Sequence, residues 1–130
     1  MYEILNKIFL EDNIVSSEKE YFFFHKDRFA KILDFIIKEK NKEIRILEMG
    51  CGASFLLRGC YHLGYKNIFG VDNYNIFQNL LLKEKYNIIF TYYDAAKEKV
   101  PFPDKSFNLI IFSEVLEHFN FYPLAVFKEQ

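Results

Sequence analysis

An acidic residue followed by Gly-x-Gly is the arrangement in this chain best suited to hold a ligand, and it lies in Ile46-Leu47-Glu48-Met49-Gly50-Cys51-Gly52-Ala53-Ser54. Glycines there accept positive φ and let a ligand approach the backbone to van der Waals distance, and a following helix offers free N–H groups. Asp72 stands 20 residues beyond Gly52, in Phe69-Gly70-Val71-Asp72. A carboxylate at that point can accept hydrogen bonds from both hydroxyls of a ribose. Asp94, in Tyr92-Tyr93-Asp94-Ala95, can accept from an adenine amino group. Any one of these residues alone also reads as a plain turn, a helix N-cap or a solvated loop position. Three strand ends carrying suitable groups in order read as one site.

A second constellation is Glu114-Val115-Leu116-Glu117-His118. On a helical turn Glu114, Glu117 and His118 share a face, and oxygen with imidazole suits a divalent cation such as Mg2+ or Mn2+. Three ligands on one face leave coordination incomplete, so no metal is assigned there. His118 is the one imidazole placed near a strand's carboxyl end, where it can serve as a general base. His25 and His62 have no visible partners in the sequence. Cys51 and Cys60 are too few and too badly spaced for a disulfide framework or a Cys-x-x-Cys motif, and both read as reduced.

The elements that must position these residues follow from hydrophobic periodicity. From Glu18 to Lys40 the residues Phe22, Phe29, Ile32, Leu33 and Ile36 recur at helical spacing, with Ser16 and Ser17 as candidate N-caps. Tyr21 to His25 can form a lid over a ligand, although packing of an amphipathic helix on a sheet accounts for most of them. Ile44 to Met49 reads as a buried strand, Ser54 to Leu63 as a helix closed by Gly64, and Asn67 to Val71 as a second strand. Asn75 to Lys85 reads as a helix, Asn87 to Tyr92 as a third strand, and Ser106 to Ser113 as a fourth and very apolar one, followed by a helix from about Glu114 or Val115. Alternating elements of this kind build a parallel α/β sheet with helices on both faces.

The series Glu48-Met-Gly50-Cys-Gly52, Asp72, Asp94-Ala95 and Pro101-Phe-Pro-Asp-Lys-Ser-Phe107-Asn-Leu-Ile-Ile-Phe-Ser113-Glu-Val-Leu-Glu117-His118 resembles the class I S-adenosylmethionine-dependent methyltransferases over roughly residues 44 to 120. The resemblance implies a Rossmann-like doubly wound sheet of strand order 3-2-1-4. It divides the chain into an N-terminal helical segment, 1–43, and the amino-terminal part of a cofactor-binding domain, 44–130. It implies S-adenosyl-L-methionine as cofactor: Glu48, Gly50, Cys51 and Gly52 at its methionine end, Asp72 with Asn73 at the ribose, Asp94 with Ala95 at the adenine, and Ser113 by the sulfonium. The Glu-x-x-Glu-His pattern also resembles the metal site of certain O-methyltransferases. Two departures stand out. Ser54 takes the place of a third glycine, and the family's last three strands have no counterpart, so the residues of the substrate wall cannot be carried over.

Competing readings remain. A nicotinamide dehydrogenase would also use Asp72, but its fingerprint wants glycine where Phe55 stands. A shortened, non-catalytic fold that binds the cofactor or serves as a partner subunit is the other. Its motive is the strand Phe107 to Phe112, whose apolar edge would be bare if it ended the sheet, which predicts self-association or a partner there. At 130 residues the chain is sized for one core, and 51% hydrophobic with 27% charged residues is a globular balance. A net charge of −1 gives no sequence-wide pull toward nucleic acid or an anionic membrane. With neither a long apolar run nor a signal-like amino terminus, the expected setting is the cytoplasm. The acceptor of a methyl group is not named by any residue.

Overall fold

A computed structural model describes residues 1–72, 79–92, 106–112 and 126–128 of the chain. Two helices, α1 (Tyr2–Glu11) and α2 (Ser16–Ile36), precede β1 (Arg45–Met49). They are followed by α3 (Phe55–His62), β2 (Asn67–Asp72), α4 (Asn79–Glu84), β3 (Ile89–Tyr92), β4 (Leu109–Ile111) and β5 (Val126–Lys128). The strands form one sheet in the order β3-β2-β1-β4-β5. The first four are parallel, as the alternating pattern predicts, and β5 runs antiparallel to β4. The order 3-2-1-4 with flanking helices is the Rossmann-like arrangement.

Central β1 sets the register. Glu48 lies between Gly70 of β2 and Ile111 of β4, and Asp72 at the end of β2 faces Tyr92 of β3. Alternation along each strand divides the core in two. Ile46, Ile68, Leu109 and Ile111 join Leu5, Ile8, Phe22, Leu33 and Leu56 from the helices in the larger cluster. Leu47, Met49, Phe69, Val71 and Phe107 form the smaller cluster. Residues 1–43 thus share a core with the sheet.

Three features depart from the sequence expectations. First, the amino terminus contributes a second helix, α1, whose Leu5 and Ile8 are fully buried. Second, α2 starts without the expected serine cap. Val15 is its N-cap residue, and the Val15 carbonyl accepts from Glu18 and Lys19 at 3.0 and 3.1 Å, while Ser16 and Ser17 lie in the first turn. Third, β4 has neighbours on both edges, because β5 pairs Lys128, Phe127 and Val126 with Leu109, Ile110 and Ile111. Phe107, Leu109 and Ile111 are buried. The stretch Leu109–Ile111, within the strand Phe107 to Phe112 through which association is expected, is thus hydrogen-bonded on both edges, and among the described residues β5 is the last strand on that side of the sheet.

The hairpin of α1 and α2 is pinned by a buried charge cluster. The Asp12 carboxylate, in the turn between the two helices, accepts from Arg58 Nη1 of α3 at 3.2 Å. It also accepts from Lys85 and from the Tyr86 hydroxyl, just beyond α4. The Arg58 guanidinium lies 5.0 Å from the centroid of Phe55 and 5.8 Å from that of Tyr86, within cation–π range. Burial, and then the bond to Asp12, push the Tyr86 hydroxyl well above the usual tyrosine range. At the far end of α2 the Tyr65 hydroxyl lies 2.7 Å from the Ile36 carbonyl and 2.5 Å from that of Glu39, tying the helix's last turn to the approach of β2. No helix among the described residues is long and apolar enough to cross a membrane.

Candidate functional site

The loop from Gly50 to Ser54 joins the carboxyl end of β1 to α3. Gly50 and Gly52 adopt φ of 70° and 51°, which a side chain makes costly. Ser54, the N-cap of α3, follows with φ 62° and makes no side-chain capping bond. The chain turns sharply because its amides are strapped to β2. The N–H groups of Gly50 and Cys51 both donate to the Val71 carbonyl, at 2.8 and 3.0 Å. That of Gly52 donates to Asp72 Oδ2 at 2.7 Å, and that of Ser54 to the Cys51 carbonyl at 2.7 Å.

The space around the loop is uneven in a telling way. Among the described residues a Cβ built on Gly52 meets nothing within 4 Å. A Cβ on Gly70 would stand 2.8 Å from Cys51 Sγ and 3.1 Å from Leu57 Cδ1. Gly70 is therefore needed because the glycine loop packs down onto the middle of β2. Its signal in the sequence was a glycine inside a strand. Cys51 itself is buried, and burial, followed by the neighbouring Glu48 carboxylate, pushes its thiol far above the usual range. Cys51 and Cys60 are both free. Glu48, the penultimate residue of β1, is 2% exposed.

The structure thus brings Glu48, Gly50, Cys51, Gly52 and Asp72 to one end of the sheet, the end where doubly wound folds bind ligands. Asn73, Asp94, Ala95 and Ser113 lie outside the described residues, as do Glu114, Glu117 and His118. Among the described residues no group of three His, Cys, Asp or Glu side chains is arranged to hold a metal ion.

Phe55, where a dinucleotide fingerprint would place glycine, is 2% exposed. Its ring lies 5.1 Å from Phe22 and 6.0 Å from Phe29 of α2, so α2 runs alongside the start of α3. The aromatic run ahead of the sheet divides accordingly. Phe22 is core, the rings of Tyr21 and His25 meet tilted at 50° with centroids 4.4 Å apart, and Phe24 is 83% exposed. His62, which had no visible partner in the sequence, lies 3.5 Å from the Tyr86 hydroxyl at the charge cluster. Burial, then Lys7 and Lys85, lower its pKa.

Four parallel strands in the order 3-2-1-4, with a tight glycine loop after β1 and a carboxylate at the end of β2, define a Rossmann-like α/β domain. A family model described as a methyltransferase domain matches residues 21–129, and the chain belongs to that family. Methyl transfer is the general chemistry the family carries. Among solved structures the chain is similar to the crystal structure of the PH0226 protein from Pyrococcus horikoshii OT3. The two share 23% identity with a TM-score of 0.54, over 68% of this chain and 42% of that one. That likeness is one of fold, and this chain spans less than half the length of that protein. No curated protein matches the chain.

Proposed function

We propose that this chain binds S-adenosyl-L-methionine at the carboxyl end of β1 and β2 and acts in methyl transfer to an acceptor. The observation that carries the reading is the internal use of four of the loop's five amides. Gly50, Cys51, Gly52 and Ser54 all spend their N–H groups within the protein. A loop that grips a pyrophosphate turns such groups toward the ligand. This one sets Gly52, which has open space beside it among the described residues, next to a carboxylate, which suits a ligand with a ribose and no phosphate. The buried Phe55 points the same way, against a dinucleotide.

On this reading Gly50 and Gly52 let the methionine end lie against the backbone, Asp72 accepts from the ribose hydroxyls, and Asp94 accepts from the adenine amino group. When bound, the cofactor supplies a methyl group on a positively charged sulfur that is already a good leaving group. The work left to the protein is to orient and desolvate the acceptor. His118 is proposed as the group that takes a proton from an acceptor that must lose one.

Titration calorimetry of the purified chain with S-adenosylhomocysteine is expected to give saturable heat at or below millimolar ligand. Absence of both heat and a thermal shift would overturn the cofactor assignment. Binding without methyl transfer to any acceptor tried would favour the non-catalytic, partner-subunit reading. We further propose that pairing with a second copy of this chain uses the outer edge of β5. Light scattering at micromolar concentration should then report more than a monomer, and a stable monomer would count against it.

A further inference from the structure

Asp72 has a task beyond the ribose. We infer that it is a positioning residue for the glycine loop, so that the loop's shape and the ribose contact stand or fall together. The inference rests on the proposed cofactor reading for its consequence, but its premise is a hydrogen bond within the chain itself.

The geometry is specific. Three consecutive amides bind the loop to the last two residues of β2: Gly50 and Cys51 to the Val71 carbonyl, and Gly52 to the Asp72 carboxylate at 2.7 Å. The first two contacts use a backbone carbonyl and survive any side-chain change. The third is the only one of the three that a substitution can remove. It holds the residue whose positive φ opens the outer side of the loop, and it is charge-assisted, hence stronger than a neutral hydrogen bond. A carboxylate can accept more than one hydrogen bond, so the same group can hold Gly52 and still receive a ribose hydroxyl. Asp72 is half-buried at the strand's end, where part of its carboxylate is left accessible. Beneath the loop, Cys51 has no slack, because its sulfur fills the space above Gly70. Freedom released at Gly52 therefore appears on the open, ligand-facing side.

Hydrogen exchange of the ligand-free protein, read at single amides, tests the premise. In Asp72→Ala the Gly52 amide should exchange at least about tenfold faster, while central β1 amides such as Leu47 keep their protection. Asp72→Asn retains an acceptor oxygen and should recover part of the Gly52 protection. Unchanged Gly52 exchange in Asp72→Ala would overturn the inference. The consequence is read with S-adenosylhomocysteine and its 2′,3′-dideoxy analogue. If Asp72 positions the loop, Asp72→Ala weakens both ligands. If only the hydroxylated ligand is weakened, Asp72 acts through the ribose alone and the inference fails. Failure of the unaltered protein to bind either ligand would instead sink the cofactor reading, with the exchange result still deciding the loop contact.

Discussion

Asp12→Ala is expected to lower stability by about 3–5 kcal/mol, the usual effect of removing one partner from a buried ion pair. Its carboxylate is fully buried, and the Arg58 side chain that bonds to it is 3% exposed. Alanine would leave that guanidinium buried beside two rings with no anion. Lys85, whose side chain is 32% exposed, can turn to water and adds less. Differential scanning calorimetry should show Tm falling by roughly 10 °C or more. The pair between Lys66 and Glu43 is the control. It spans 3.8 Å between side chains 74% and 68% exposed, and Glu43→Ala should leave Tm unchanged. A shift of only a degree or two in Asp12→Ala would mean that the cluster contributes little beyond its hydrophobic surroundings.

Phe22→Ala is expected to cost a similar amount, about 3–5 kcal/mol, through a cavity rather than a charge. Phe22 is fully buried and meets rings from three helices: Phe9 of α1 at 5.6 Å, Phe29 of α2 at 6.4 Å and Phe55 of α3 at 5.1 Å. No one of these helices can move to fill the gap without leaving the others. Phe24→Ala, at a residue 83% exposed on the same helix, should change stability by no more than about 0.5 kcal/mol. Urea unfolding of the two variants compares them directly. Equal midpoints would show that Phe22 is not the junction its contacts describe.

The parallel strands were legible because they are short and largely apolar, with β1 closed by Gly50 and β2 by Asp72, so element type followed from pattern while the strand order 3-2-1-4 came from the family resemblance. Their lengths were less so. The strand expected over Ser106 to Ser113 contracts to Leu109–Ile111, since ladder pairing, not hydrophobicity, sets where a strand ends. The α1 pattern was present in Ile4, Leu5, Ile8 and Phe9 but lacks a capping side chain, and Met1 at its N-cap makes no side-chain bond. β5 is too short to show any periodicity. Within the site, the glycines and Asp72 were found from spacing. The bond from Gly52 to Asp72 was not, because spacing places a carboxylate near a loop without saying which amide it meets. The Asp12 cluster lay further out of reach. It joins residues 46, 73 and 74 positions apart, and nothing local in Asp12 or Arg58 distinguishes them from surface charges.

Burial of the Cys51 thiol bears on self-inflicted damage. On the proposed cofactor reading the domain keeps an alkylating agent beside its own loop, and sulfur is the protein's softest nucleophile. Only the thiolate attacks at a useful rate. At Cys51 the low-polarity surroundings and the Glu48 carboxylate both oppose loss of the thiol proton, and the sulfur is turned down onto Gly70, away from the open side of Gly52. A sulfur atom can therefore sit one residue from the proposed methyl donor without becoming its acceptor. A serine or alanine would be the chemically safer choice there, and the packing over Gly70 is what makes the cysteine tolerable.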